Sequence, residues 1–283
     1  MNLGIKAAQT GSSQLAVKHL KEATRLYPDN HQAWWNLGQL YSQFAENAEG
    51  RAAGKSGTDP EAAAKYAEQA TENWEEAIKS LSEAVRSSSE DPMYHMRLGI
   101  AYYGSGNPSQ AAVHLEKAVE LENRLATAYF YLGRVYEDNE EPKKAAEAWS
   151  QAARVDPYEG RSFVRLGRLY LRWDMIPQAI KVLQWGKEYV KGDERTNVLY
   201  HLGLAHDLQG ELDEAISAYS GALDADRSNL DAKFQRGLTY ARKGDKSNAR
   251  DDLEQYVKSV GNSAASEFNK QEANKVLFTL ISE

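Results

Sequence analysis

The chain has 283 residues, 42% of them hydrophobic and 27% charged, a composition that suits two conventional domains or one repeat array. A formal net charge of −7 and a pI near 5.5 argue against general affinity for nucleic acid or an anionic membrane, which needs a basic surface. The absence of cysteine excludes disulfides, thiolate metal sites and cysteine nucleophiles, and no apolar run approaches the ~20 residues of a membrane-spanning helix. Residues 1–15, MNLGIKAAQTGSSQL, contain no signal-peptide core. The cytoplasm is slightly preferred on that ground, and the periplasm if a leader has been removed upstream, so compartment stays open.

In chain order, Leu-Gly pairs recur at Gly4, Gly38, Gly99, Gly133, Gly167 and Gly203, with Arg236-Gly237 as a variant. Their separations are 34, 61, 34, 34, 36 and 34 residues. Twelve residues after the glycine stands an alanine at Ala16, Ala111, Ala145, Ala179, Ala215 and Ala249, whereas Ala77 follows Gly38 by 39. Four further on comes a large side chain (Leu20, Leu81, Leu115, Trp149, Leu183, Tyr219, Leu253), and three beyond that a small one, such as Ala118 or Gly186. Small residues let two helices approach while large ones fill the gap, so each unit reads as an antiparallel helix pair. The pairs fall at about 1–30, 31–91, 92–125, 126–159, 160–195, 196–229 and 230–262, followed by an amphipathic helix over 263–282. No pair can bury its apolar face alone; stacking does it.

On these residues the chain resembles a tetratricopeptide repeat protein. YFYLGRVY, residues 129–136, followed by Ala145, Trp149, Ala152 and Pro157, carries the pattern almost throughout. The resemblance implies an all-α fold, a right-handed α-solenoid of about seven helix-turn-helix units with a C-terminal capping helix, forming a single domain over 1–283. Three departures stand out. Met1 leaves the first helix only two residues before its Leu-Gly, which suggests a fragment or processed form. Tyr256 replaces the small alanine of the last repeat and Arg236 its leucine, as if that repeat were less crowded. In VLFTLISE the apolar Val276, Leu277, Phe278, Leu280 and Ile281 cover more than one face, suggesting further contacts.

The separation of 61 exceeds 34 by 27 residues, all between the two helices of the second repeat. Within them EGRAAGKSGTDPE ends its glycine-rich part in Gly54-Lys55-Ser56, the close of a phosphate-binding loop, but Gly50 and Gly54 have three residues between them where that motif needs four. The expected arrangement is a long helical hairpin, with Gly50, Gly54 and Gly57 as breakers at an exposed tip and Lys55 solvated. A Thr58/Glu61 capping box would start the second helix, whose stripe runs Ala67, Ala70, Trp74, Ala77, Leu81, Ala84. Tyr66 and Lys55 on this arm are candidates for a second partner contact.

Catalytic and cofactor chemistry is not indicated: there is no nucleophile elbow, zincin helix, dinucleotide fingerprint or calcium loop. His201 and His206 are five apart, off the spacing that puts two metal ligands on one helix face. His206 takes the place of the family tyrosine and reads as a packed residue. A non-enzymatic chain with no cofactor and no metal is expected.

By the resemblance, the first helices of the repeats line a concave groove. It places Trp35, Met96, Phe130, Val164, Tyr200 and Phe234 there, two residues before the leucine, and Gln39, Ile100, Arg134, Arg168, Leu204 and Leu238 just after the glycine. Helical spacing independently groups Arg161, Arg165, Arg168 and Arg172, stepping by 4, 3 and 4 residues, on one face. Like charges so placed repel by a few tenths of a kcal/mol per pair (~0.2–0.5), so the stripe favours an acidic partner. Asp138, Glu137 and Asp174 are the alternative, as neutralising neighbours. The family's dicarboxylate clamp is only half present, since Tyr131, Met96 and Ile100 stand where its polar residues belong. The expected function is a scaffold or adaptor binding an acidic, partly apolar peptide or helix of another protein, with no nucleic acid and no membrane insertion, and with self-association through ends or arm open. The alternatives are a pilotin-like assembly factor for a bacterial envelope machine, or the regulatory repeat domain of a larger protein.

Overall fold

A computed structural model describes residues 13–261 and 264–282, all of whose regular elements are α-helices. They are α1 (Ser13–Leu26), α2 (His31–Lys55), α3 (Pro60–Ser87), α4 (Pro92–Gly104), α5 (Pro108–Leu121), α6 (Ala126–Asp138) and α7 (Pro142–Val155). The rest are α8 (Gly160–Arg172), α9 (Ile176–Tyr189), α10 (Asp193–Gln209), α11 (Leu212–Ala225), α12 (Leu230–Lys243), α13 (Lys246–Ser259) and α14 (Ala264–Ser282). The expected short helix around Gly4 lies outside the described residues.

Local chemistry explains where helices begin. Asn30, Asp59, Asp91, Asn107, Asn229 and Asp245 each accept a backbone N–H of the first turn, and Pro60, Pro92 and Pro108 fill the first helical position. Five of the turns between paired helices share one device, a left-handed residue seven after the repeat glycine. Gly106, Gly210 and Gly244 take it at φ 78°, 82° and 85°, and Glu140 and Asp174 at 59° and 57°.

Packing within the pairs follows the large-small spacing. A Cβ on Gly38, Gly99, Gly167 or Gly237 would come within 2.5–2.8 Å of Leu81, Leu115, Leu183 or Leu253, and Gly203 is pressed as closely by Tyr219. Only glycine lets these backbones meet.

The chain divides into two compact units at Ala148/Trp149, within α7. In the first, α2 packs on α4 and α4 on α6, around Leu20, Leu37, Trp74, Leu81 and Leu98 and, further along, Met96, Ile100, Leu115 and Leu132. In the second, α8, α10, α12 and α14 form the corresponding series of neighbours, with Phe234, Leu253, Tyr256 and Ala273 forming the core at its C-terminal end.

The hairpin of α2 and α3 differs in detail from expectation. Gly50 and Gly54 lie inside α2, and the turn is confined to Ser56–Asp59. Asp59, not Thr58, caps α3, accepting from the Ala62 N–H at 3.1 Å. Carboxylates cap better than threonine, and Pro60 presets the first turn beside it. From Ala70 the stripe is as read, with Trp74, Ala77, Leu81 and Ala84 buried, while Ala67 is exposed. Trp74 packs on Gly104, leaving no room for a Cβ there, and donates its indole N–H to Glu49 at 2.7 Å. At 25 and 28 residues against 13 and 14 in the next pair, the hairpin extends about 15–20 Å beyond it at ~1.5 Å per residue.

The last repeat is not less crowded. Tyr256 is 1% exposed, its ring tilted against Phe234 at 4.9 Å, and it shares a core cluster with Ala273 of α14. Arg236 is held by Asp252 through two bonds of 2.7 and 2.8 Å and donates to Ser220 at 2.9 Å. The leucine has been exchanged for a partly buried ion pair rather than for open space.

Candidate functional site

The arginine stripe occupies α8. Glu159 caps that helix, accepting from the Ser162 N–H at 3.2 Å and its hydroxyl at 2.9 Å. Gly160 is needed where it stands, because a Cβ would meet Glu194 and Val190 at 2.8–2.9 Å. Its N–H donates to Glu194, so two carboxylates sit at the positive end of the helix. Arg161 is drawn into this cluster, paired with Glu159 and 3.9 Å from Glu194. Glu159 and Glu194 thus neutralise Arg161 at the start of the helix, and in the first unit Asp138 accepts a hydrogen bond from the Tyr103 hydroxyl at 2.6 Å.

One turn on, Arg165 is half-buried, and Arg168 and Arg172 are exposed. The opposite face of α8 is the anchor: Phe163, Leu166 and Leu169 are buried, with Phe163 edge-on to Trp185 at 5.4 Å. Beside Arg168 lies His201 of α10, whose Nδ1–H donates to the Asn197 carbonyl at 2.8 Å. Burial and the Arg168 charge hold its pKa below the usual imidazole value. Its Nε2 is then the acceptor, ready to become a donor when a negative charge approaches. Neighbouring Tyr200 is half-buried, 6.1 Å from Tyr219, and burial with the Asp231 charge pushes its hydroxyl up to about 12.

Arg134 belongs to the first unit. Its guanidinium lies 4.6 Å from the Tyr103 ring and 5.6 Å from Tyr131, a cation-π clamp. The three line a cavity of about 220 Å³ with Glu46, Glu49, Trp74, Ile100 and Gly104. Tyr103 was not among the sequence candidates. It follows Ile100 by three residues, the spacing that grouped the arginines, so the same rule would have found it.

The apolar candidates fare differently. Met96, Ile100 and Phe130 are each 4% exposed and Phe234 3%, so they do not lie open as the groove lining in which the resemblance places them. Helices later in the chain cover Met96, Ile100 and Phe234. Met96 and Ile100 share a cluster with Ala128 and Leu132 of α6, and Phe234 one with residues of α13 and α14. Trp35 is half-buried, 4.8 Å from Tyr94, whose hydroxyl meets His31 at 2.7 Å. Exposed chemistry along these helices is thus supplied mainly by arginine, glutamate and partly covered tyrosine.

On the arm, Lys55 is exposed in the last turn of α2, and Tyr66 is half-buried with Arg51 5.7 Å from its ring. Gly54-Lys55-Ser56 therefore stands at a helix C-terminus, the negative end of the dipole, whereas phosphate loops present the positive N-terminus. Among the described residues no group of three or more histidine, aspartate or glutamate side chains converges as a metal site, and no helix is long and apolar enough to cross a membrane. His206 is buried, its Nδ1 2.6 Å from Glu211, in keeping with a packed residue.

The tetratricopeptide repeat model matches residues 1–68, 66–121, 97–161, 164–229 and 200–265. No curated protein matches the chain. Among solved structures it is similar to YrrB, described as a tetratricopeptide repeat protein with an unusual peptide-binding site, at 24% identity and TM-score 0.57 over 69% of this chain and 99% of that one. It is similar to MamA at 23% identity and TM-score 0.54, over 67% and 95%. To pilF of Pseudomonas aeruginosa it shows 22% identity and TM-score 0.52, over 68% and 89%. At these identities the likeness is one of fold.

Proposed function

The chain belongs to the tetratricopeptide repeat family, and on that premise we propose that it is a non-enzymatic scaffold whose α8 stripe takes an acidic, partly apolar segment of another protein. The fold is that of protein-interaction modules. The carrying observation is Arg165, Arg168 and Arg172 in successive turns, with Arg168 and Arg172 exposed and, among the described residues, no carboxylate within ion-pair distance of Arg168. Arg168 can make charge-assisted bidentate bonds to a carboxylate, and half-buried Tyr200 beside His201 offers an apolar contact. Arg161, engaged by Glu159, contributes mainly by fixing the helix start. The arm, through Lys55 and Tyr66, supplies a second contact.

The test is titration with a panel of acidic amphipathic peptides. Arg165→Glu/Arg168→Glu should weaken the best binder at least about tenfold and flatten its salt dependence, since close charge pairs at interfaces couple strongly. Affinity of the wild type should also rise as pH falls from 7.5 to 5.5, because carboxylates beside His201 favour its protonation, and His201→Gln should remove that slope. Binding unchanged by the double charge reversal would sink the stripe as the site.

A further inference from the structure

Helix α3 runs beyond the next pair at its N-terminal end. Its Ala77 is the repeat equivalent of Ala111 in α5, which begins at Pro108, so residues 60–73 have no counterpart in that helix. One face of α3 is acidic. Glu68, Glu72 and Glu75 follow each other by 4 and 3 residues and are all exposed, and from Tyr66 to Ile78 the chain has four glutamates and neither lysine nor arginine. At 100° per residue this face lies opposite the buried Ala70, Trp74, Ala77 and Leu81. Among the described residues the ion pairs of α3 are made by Glu76, 3.9 Å from Lys21, and by Glu83, 2.8 Å from Arg86, so Glu68, Glu72 and Glu75 have no cation within ion-pair distance.

We propose that this face docks on the α8 stripe of a second copy of the chain, a step that rests on the stripe being a site for acidic segments. The two surfaces match in spacing as well as in sign. The stripe steps from Arg165 to Arg168 to Arg172 by 3 and 4 residues, and the α3 face, followed from its C-terminal end, steps from Glu75 to Glu72 to Glu68 by 3 and 4. Each covers about 10.5 Å at ~1.5 Å per residue. Laid antiparallel, the helices bring Arg165 to Glu75, Arg168 to Glu72 and Arg172 to Glu68, whereas a parallel arrangement puts the middle pair one residue out of step. Arg165 and Arg172 already have interactions within the chain, so Arg168 with Glu72 is the pair on which the contact centres. Beyond this run Lys79 comes level with Arg161, where Glu159 and Glu194 supply the opposite charge. The contact joins unlike surfaces, so each copy can both give and receive an arm, and association grows with concentration. Being made of exposed charge, it weakens as salt rises.

Sedimentation velocity of the full chain from 10 to 1,000 μM tests it. At 30 mM salt the weight-average mass should rise above that of the monomer across this range, and at 300 mM salt it should fall back. Glu72→Arg and Arg168→Glu, both at exposed positions, should each weaken association about tenfold or more. Mixed in equal amounts, the two variants should associate again, because the reversed arm of one meets the reversed stripe of the other; a variant that had merely misfolded would not recover. The acidic peptide that binds the stripe best should dissolve the assembly, since both need Arg168. A wild type that stays monomeric at 30 mM salt overturns the proposal, and if acidic peptides still bind it, the stripe stands without the arm as its ligand. An assembly indifferent to Glu72→Arg overturns it as well, as does a mixture no more associated than its components.

Discussion

At the scale of single residues, two polar groups within the packing carry measurable consequences. Arg236 and Asp252 hold each other where the repeat pattern has leucine, and the Asp252 side chain is only 7% exposed. Arg236→Leu restores the family residue but strands the carboxylate, so it should destabilise by about 3 kcal/mol in urea unfolding, whereas Arg236→Leu/Asp252→Ala should recover most of that loss. A single substitution as mild as the double one would mean that Asp252 finds water. The second group is the histidine pair: His95 and His114 meet Nδ1 to Nδ1 at 3.1 Å, with His95 Nε2 3.0 Å from the Ser89 carbonyl and His114 stacked 5.5 Å from Tyr102. Burial and the neighbouring imidazole lower His114 to about 4. Between its ordinary value near 6.5 and about 4 the unfolded chain binds the proton and the folded one does not, so stability falls as pH drops through that window. Unfolding free energies from pH 7 to 4 should show this fall, and His114→Gln should lose it while keeping the general carboxylate effects.

Among the elements, the helix pairs were readable because close packing demands a small residue and a large one at fixed offsets, and Gly99 beneath Leu115 or Gly167 beneath Leu183 leave no alternative. The turn seven residues after five of these glycines was not readable as a unit. Glu140 and Asp174 hide among charged residues while adopting the backbone that Gly106, Gly210 and Gly244 adopt openly. Helix α2 also outran its local signals. Gly50 and Gly54 look like breakers, yet pairing with α3 carries the helix through them, since tertiary packing outweighs propensities of about 1 kcal/mol. Neither glycine is required by its surroundings, as nothing lies within 4 Å of a Cβ at either. Gly50→Ala should therefore stabilise by about 0.5–1 kcal/mol and Gly54→Ala, in the last turn, by less, measured by thermal or urea unfolding. A loss at Gly50 would indicate a contact that only glycine permits.

Across the whole molecule, the charged part of the candidate site was legible and the apolar part was not. Arginines at 4, 3, 4 spacing share a face in any helix, so Arg165, Arg168 and Arg172 needed no knowledge of neighbours. Met96, Ile100, Phe130 and Phe234 were a different matter, because a residue's exposure depends on which later segment covers it. Ala128 and Leu132 stand about 30 residues after Met96 and Ile100, beyond any local pattern. The acidic net charge of −7 is compatible with a basic stripe because its carboxylates are spread over many helix surfaces, whereas the three arginines are concentrated in three turns.

The tip of the hairpin bears on how the polypeptide can be handled as a material. Ser56–Asp59 is exposed, nothing crowds Gly57, and the two helices it joins are locked further down by Trp74 with Glu49 and Gly104 and by Arg51 over Tyr66. The peptide link there supplies proximity and little else. The molecule can thus be thought of as two strings tied by a removable knot: severed at Gly57, a short N-terminal piece and the long remainder retain complementary faces, and anything that brings them together rebuilds the whole.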